Sequence, residues 1–137
     1  VVLGRFYSGS VLRRSWPAER FSILRDTYDQ SSIMRSCGLA VVSYGVTALE
    51  CLACGLPTIA ISMSDDHEAS ARALAERGVL LSLGQPTGID TIYLGRIILA
   101  LICNSKERRK LSIAARETID GRGVERVAVK IMELVGI

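Results

Sequence analysis

The sequence is short of the residues that most often announce a function. It holds one histidine, one tryptophan and few aromatics of any kind, 5% in all. Without stacking rings, and with arginines interleaved among acids, it has no basic stripe of the kind that reads nucleic acid. The balance of 17 basic and 14 acidic residues leaves a net charge of +3, too small to argue for a polyanionic partner. No apolar run is long enough for a membrane span: "IYLGRIILALIC" is too short and carries Arg96. One histidine among clustered acids, with no second ligand set, speaks against a metal site. The N-terminus shows no signal peptide, so a cytoplasmic protein is expected.

What is present describes a globular chain. At 137 residues, 49% hydrophobic and 23% charged, it has one domain's worth of core. Four cysteines, Cys37, Cys51, Cys54 and Cys103, sit in apolar surroundings. Cys51 and Cys54 form a Cys-x-x-Cys inside a helical pattern and lack the second pair that zinc spacing requires. All four are expected to be small buried side chains in a reducing compartment. The opening "VVLG" reads as a strand already under way, so the chain is expected to be part of a longer protein.

Short apolar runs recur at residues 1–3, 21–24, 39–42, 58–61 and 79–83. Several are continuous rather than alternating, as strands buried on both faces should be. Helical patterns lie between them, beginning near Asp29, at Thr47 and near His67, the last ending at Gly78 as a left-handed cap. Residues 10–20 are harder to assign, because Ser15 and Pro17 interrupt them. Strand alternating with helix implies a parallel sheet with right-handed crossovers. Beyond Leu83 the pattern becomes helical only. Thr87 and Asp90 suggest a capping box before a helix reaching Cys103, and Asn104 with Glu107 suggest another. After "DGRG", Val124, Val127, Ala128, Ile131, Met132 and Val135 share one helical stripe. The expected fold is a single Rossmann-like, doubly wound α/β domain over 1–137, with about five strands and a helical C-terminal tail.

The segment "SYGVTALECLACGLP" leaves the apolar run "LAVV" through a tight turn with two hydroxyls and becomes helical. In open parallel sheets, ligands settle at the carboxyl ends of strands. A helix opening there directs unpaired N–H groups and a positive dipole end outward. Gly45 permits close approach of an anion, while Ser43 and Thr47 offer hydroxyls. Thr47 and Glu50 can equally be read as a capping box with no ligand at all. Spacing alone leaves both readings open.

"SYGVTALECLACGLPTIAIS" resembles the nucleotide-sugar loop of GT-B glycosyltransferase C-terminal domains, the group that includes family 28 glycosyltransferases. Its layout is similar to that of the GlcNAc transferase that makes the peptidoglycan lipid intermediate. It is closer to the UDP-sugar hydrolases of pseudaminic acid synthesis and to the spore coat polysaccharide proteins related to them. "VVLG", "DDHEASARALAERG" and "DGRGVERVA" resemble further stretches of that second group, so the resemblance covers nearly all of the chain. It implies that Ser43, Tyr44, Gly45, Val46 and Thr47 face a diphosphate, that Glu50 binds ribose hydroxyls, and that Asp65, Asp66 and His67 lie near the sugar. It also implies UDP or a UDP-sugar as ligand with no separate cofactor. The catalytic histidine would belong to an N-terminal domain, so this chain alone should show no turnover. The glutamine pair that reads the donor sugar in the peptidoglycan enzyme is replaced by residues around Ala69 and Ser70. The family's amide in the acidic loop corresponds to His67, and an aspartate usual before the third strand is Gly38.

His67 follows two aspartates and precedes Glu68, which would favour its protonated form and suit a proton shuttle. The plainer alternative is a solvated first-turn residue beside acids placed there by the helix dipole, with Asp66 as a cap. Two other functions compete with nucleotide-sugar binding. One is a non-catalytic flavodoxin-like interaction module, which predicts an exposed apolar patch. The other is a receiver-like phosphorylation domain suggested by Asp65 and Asp66, for which a lysine on a late strand is missing.

Overall fold

A computed structural model of the chain describes residues 2–3, 21–25 and 27–136, the first pair by backbone alone. The ambiguous segment at 10–20 lies outside the described residues. Two compact units are present, Val1–Gln30 and Ser31–Ile137. In the first, strand β1 (Val2–Leu3) pairs in parallel with β2 (Leu24–Arg25), Val2 opposite Leu24.

The second unit is built on β3 (Ala40–Ser43), β4 (Thr58–Ile61) and β5 (Leu81–Ser82), all parallel and in that order. Residues 40–43 stand opposite 58–61, and Ile59 opposite Leu81. The five expected strands therefore divide into a three-stranded and a two-stranded sheet instead of forming one.

The central strand explains why its run was continuous. Thr58, Ile59 and Ala60 are wholly buried, and their alternation feeds two faces. Ala60 packs with Leu52, Val79, Leu80 and Ala115. Ile59 packs with Leu101 and Leu111. A third cluster joins Met34, Cys51 and Leu56. Helices thus cover both faces, as a doubly wound sheet requires.

These helices are α1 (Gln30–Ser36), α2 (Val46–Ala53), α3 (Asp65–Glu76), α4 (Thr91–Cys103), α5 (Ser105–Thr118) and α6 (Gly123–Val135). Several of their ends follow from single residues. Asn104 Oδ1 accepts from the Glu107 N–H and caps α5 as expected. Asp90 caps α4 by accepting from the Ile92 N–H at 3.2 Å. Thr87 takes no part in that cap, because it lies in a 3₁₀ turn, Pro86–Gly88, opened by the proline. The Arg108 guanidinium reaches back to the Leu101 and Ile102 carbonyls at the end of α4, where a cation suits the dipole.

Only Cys51 of the four cysteines is buried. Cys54 is half-buried, while Cys37 and Cys103 are exposed. Burial, then the proximity of Cys54, Glu50 and Cys37, pushes the Cys51 thiol up to about 11. A thiol in that range is protonated at neutral pH and a poor nucleophile, as suits a small side chain packed in the core.

Helix α6 carries the stripe read from the sequence, but the stripe is exposed: Val124 at 82%, with Val127, Ile131 and Val135 above half. The helix is held at its start by Asp120, whose carboxylate accepts from the Arg122 N–H and from both Arg126 terminal nitrogens, at 2.7 and 3.0 Å. These donors, the Arg126 side chain first, lower the Asp120 carboxyl to about 2 from an ordinary 3.8. A lowered carboxyl favours the folded arrangement above its ordinary value and loses that contribution as pH falls through its folded value. A carboxyl NMR titration should therefore give Asp120 a midpoint near 2. A midpoint at the ordinary value would mean that the clasp to Arg126 does not persist in solution.

Candidate functional site

The carboxyl ends of the three strands meet at one rim. Beyond Ser43, the Tyr44 N–H donates to the Ile61 carbonyl at 2.8 Å. Beyond Ile61, the Ser62 N–H donates to the Gly84 carbonyl at 2.8 Å. Three loops, one from each strand, are thereby stitched edge to edge where an open parallel sheet presents its ligand site.

In the first loop, Gly45 is the N-cap of α2. Its φ of 155° and ψ of −157° belong to a region that side-chain-bearing residues scarcely enter. No side chain caps the helix. Helix α2 starts at Val46, so Thr47 and Glu50 sit inside it and cannot form the capping box that spacing allowed. The backbone ladder begins with the Leu49 N–H donating to the Gly45 carbonyl at 3.2 Å. The N–H groups of Val46 and Thr47, ahead of that ladder, belong to exposed residues. Ser43 is exposed as well. Glu50 is exposed one turn along α2.

The second loop leads into α3. Ser64, not Asp66, is its cap: Ser64 Oγ accepts from the His67 N–H at 3.3 Å. Asp65, Asp66 and Glu68 occupy the first turn, where the dipole favours negative charge. Glu68 is further engaged by Arg72 at 2.6 Å.

Tyr44 brings the two loops together. Its ring meets that of His67 edge-on, centroids 5.8 Å apart. Its hydroxyl shares a hydrogen bond with the Ser70 side chain, while burial pushes the phenol above its usual range. The turn at 43–47 and the acidic start of α3 are therefore neighbours, although Tyr44 and His67 stand 23 positions apart in sequence.

The third loop was not anticipated. Gln85 Nε2 donates to Asp65 Oδ1 at 2.6 Å, fixing that carboxylate from the far side. A polar residue beyond a strand carries no local signal of such a tie. Ser62 was likewise missed: it is fully buried and its hydroxyl has no hydrogen-bond partner. Among the described residues, no group of three or more His, Cys, Asp or Glu side chains could hold a metal ion. Nor is any helix there long and apolar enough to cross a membrane.

A helix start without a side-chain cap, an acidic first turn and a parallel sheet covered by helices on both faces define a doubly wound α/β domain. No protein-family model matches the chain. It is 24% identical over 125 residues to the spore coat polysaccharide biosynthesis protein SpsG of Bacillus subtilis (strain 168), an alignment covering 91% of this chain and 37% of SpsG. Its fold matches part of the spinosyn forosaminyltransferase SpnP with a TM-score of 0.73 and 15% identity, over 99% of this chain and 35% of that one. It also matches the glycotransferase of kitacinnamycin with a TM-score of 0.65 and 18% identity, over 96% of this chain and 34% of the other. The chain thus spans little more than a third of each of these proteins. The fold is Rossmann-like α/β of the kind found in a GT-B half, as the sequence led one to expect, with three strands rather than about five in its main sheet.

Proposed function

We propose that this domain binds a nucleotide-sugar, with UDP as the nucleotide, in a glycosyltransferase or UDP-sugar hydrolase of surface-polysaccharide or sialic-acid-like sugar synthesis. The observation that carries this reading is the turn at 43–47: it opens α2 at the sheet's rim with no side-chain cap and with exposed first-turn residues. The diphosphate would lie against the amides of Val46 and Thr47 and the hydroxyls of Ser43 and Thr47, with Tyr44 and Gly45 shaping the turn. Glu50 would accept from the ribose hydroxyls. The sugar would lie toward Asp65, Asp66 and His67, which Tyr44 holds close to the turn.

The chemistry is electrostatic. Amides already oriented by a helix need no reorganisation as negative charge grows on a departing diphosphate. Hydrolysis and glycosyl transfer differ in the acceptor, and we assign the acceptor groups and any catalytic histidine to a further, N-terminal domain. The chain by itself should therefore bind without turnover. Sugar-nucleotide hydrolysis by purified 1–137 would refute this.

The primary test is titration of the protein with UDP while following amide chemical shifts. Shifts clustered at residues 43–50 are expected, and silence there would end the reading. The flavodoxin-like interaction module remains the second reading because α6 does expose an apolar stripe. It predicts no response to UDP and a response of the α6 amides to a protein partner instead.

A substitution separates the role of Glu50 from structure. Exposed and outside any cap, Glu50→Gln should change stability by no more than about 0.5 kcal/mol. It should weaken UDP binding about tenfold, the worth of a charge-assisted hydrogen bond. Calorimetric titration and a melting curve give both numbers. A destabilised variant with unchanged UDP affinity would show the ribose assignment to be wrong.

A further inference from the structure

Helix α4 is apolar nearly all round, with Arg96 its one charged residue. A helix of that kind belongs in a core or against an apolar medium. Its inner face is in the core: Leu101 is buried with Ile59 and Leu111, and Ile97 and Ile98 pack against them. Its other face has nothing over it. Ile92 is 65% exposed, Leu99 61% and Ile102 more than half. At 3.6 residues per turn, Arg96 stands between Ile92 and Leu99 on that open side. Helix α5 lies beside α4, because Asn104 ends one and caps the other, and the Arg108 guanidinium holds the Leu101 and Ile102 carbonyls. Its Lys106 and Arg109 are exposed and, by helical spacing, face away from buried Leu111.

Arg96, Lys106 and Arg109 enter none of the ion pairs among the described residues. A net charge of +3 over the whole chain conceals this gathering of free cations on one side. Helix α6 also exposes apolar residues, but its cations Arg122, Arg126 and Lys130 are each neutralised by a carboxylate.

We propose that the outer face of α4 and α5 rests on an anionic lipid surface. No helix among the described residues is long and apolar enough to cross a membrane, so α4 would lie in the plane of the interface. Ile92, Leu99 and Ile102 enter the acyl boundary. The cations lay their carbon stems along that apolar surface and carry their charges to the lipid phosphates. A single bound anion would leave the apolar residues in water, and a neutral protein surface would leave three charges uncompensated. A charged bilayer satisfies both. The proposal does not depend on the nucleotide-sugar reading, and its test uses no nucleotide.

The test is flotation of the 137-residue chain with vesicles of phosphatidylcholine alone and of phosphatidylcholine mixed with phosphatidylglycerol. Wild type should bind the mixed vesicles about a hundredfold more tightly, at about fivefold for each of three cations. Added salt should erase most of that difference. Replacing Arg96, Lys106 and Arg109 together by glutamine should abolish the preference. Replacing Ile92, Leu99 and Ile102 together by glutamine should weaken binding to the mixed vesicles about tenfold or more. All six positions are exposed, so both variants should melt as wild type does. Leu99→Trp supplies a readout that needs no loss of binding: its fluorescence should move to the blue on mixed vesicles.

If wild type ignores the mixed vesicles, or binds them equally well after both triple replacements, the inference is overturned. An unshifted Leu99→Trp spectrum on bound protein overturns it too, as does loss of binding on Val124→Gln with Leu134→Gln in α6. If wild type self-associates in sedimentation, ignores vesicles, and becomes monomeric on replacing Ile92, Leu99 and Ile102, the face is a protein interface and the inference falls.

Discussion

Gly45→Ala should lower UDP affinity by tenfold or more. Gly45 combines a φ of 155° with a ψ of −157°, where only glycine is at ease, and holding another residue there costs of the order of 1–3 kcal/mol. Nothing lies within 4 Å of the position a Cβ would take, so the variant meets no steric barrier inside the protein. Its backbone can therefore relax away from the observed angles, re-aiming the N–H groups that follow. If it does not relax, the methyl group stands in the open space before the helix. Both outcomes hurt an anion seated on the Val46 and Thr47 amides, and neither disturbs the core, because Gly45 precedes the buried part of α2. Calorimetric titration with UDP and a melting curve decide the matter. A variant that binds UDP as wild type does would show that no anion depends on this turn.

The largest effect on stability is expected from Leu52→Ala, at about 2–5 kcal/mol. Leu52 is fully buried on α2 and meets Ala60 of β4, Val79 and Leu80 before β5, and Ala115 of α5. Strand β4, the segment leading into β5 and helix α5 therefore lose contacts at once. The backbone is tied at the C-terminal end of the helix, which limits collapse around the lost volume: the Leu56 N–H donates to the Cys51 carbonyl and the Gly55 N–H to the carbonyl of Leu52 itself, at 2.9 and 2.8 Å. Domains of this size hold about 5–15 kcal/mol in total, so the loss should be plain in urea denaturation as a lowered midpoint with an unchanged slope. A shift under about 1 kcal/mol would mean that α2 is not anchored as described, and with it the turn that α2 opens.

Much of this arrangement was legible along the chain. β4 announced itself because burial on both faces demands a run without polar interruption, and "TIAIS" has one. The caps at Asn104 and at Gly78 were legible because capping acts within four residues. Where the sequence misled, two local explanations competed on equal terms. Thr47 and Glu50 had the spacing of a capping box, and Thr87 with Asp90 had it too. In each pair the helix started elsewhere, at Val46 and at Thr91, once the preceding backbone was fixed by the sheet or by Pro86. The cysteines were expected inside because they are apolar by type. Cys37 and Cys103 lie outside because they stand at helix ends, beyond the faces that meet the sheet.

The order of elements, the buried strand, and a glycine turn followed by a helix were determined by the sequence alone. Each depends on interactions between residues a few positions apart, or on a periodicity that any window of the chain displays. The meeting of Tyr44 with His67, the tie from Gln85 to Asp65 and the stranded hydroxyl of Ser62 were decided only by the tertiary structure. They arise because parallel pairing brings the ends of three strands to one rim, joining residues about 20 positions apart that share no local pattern.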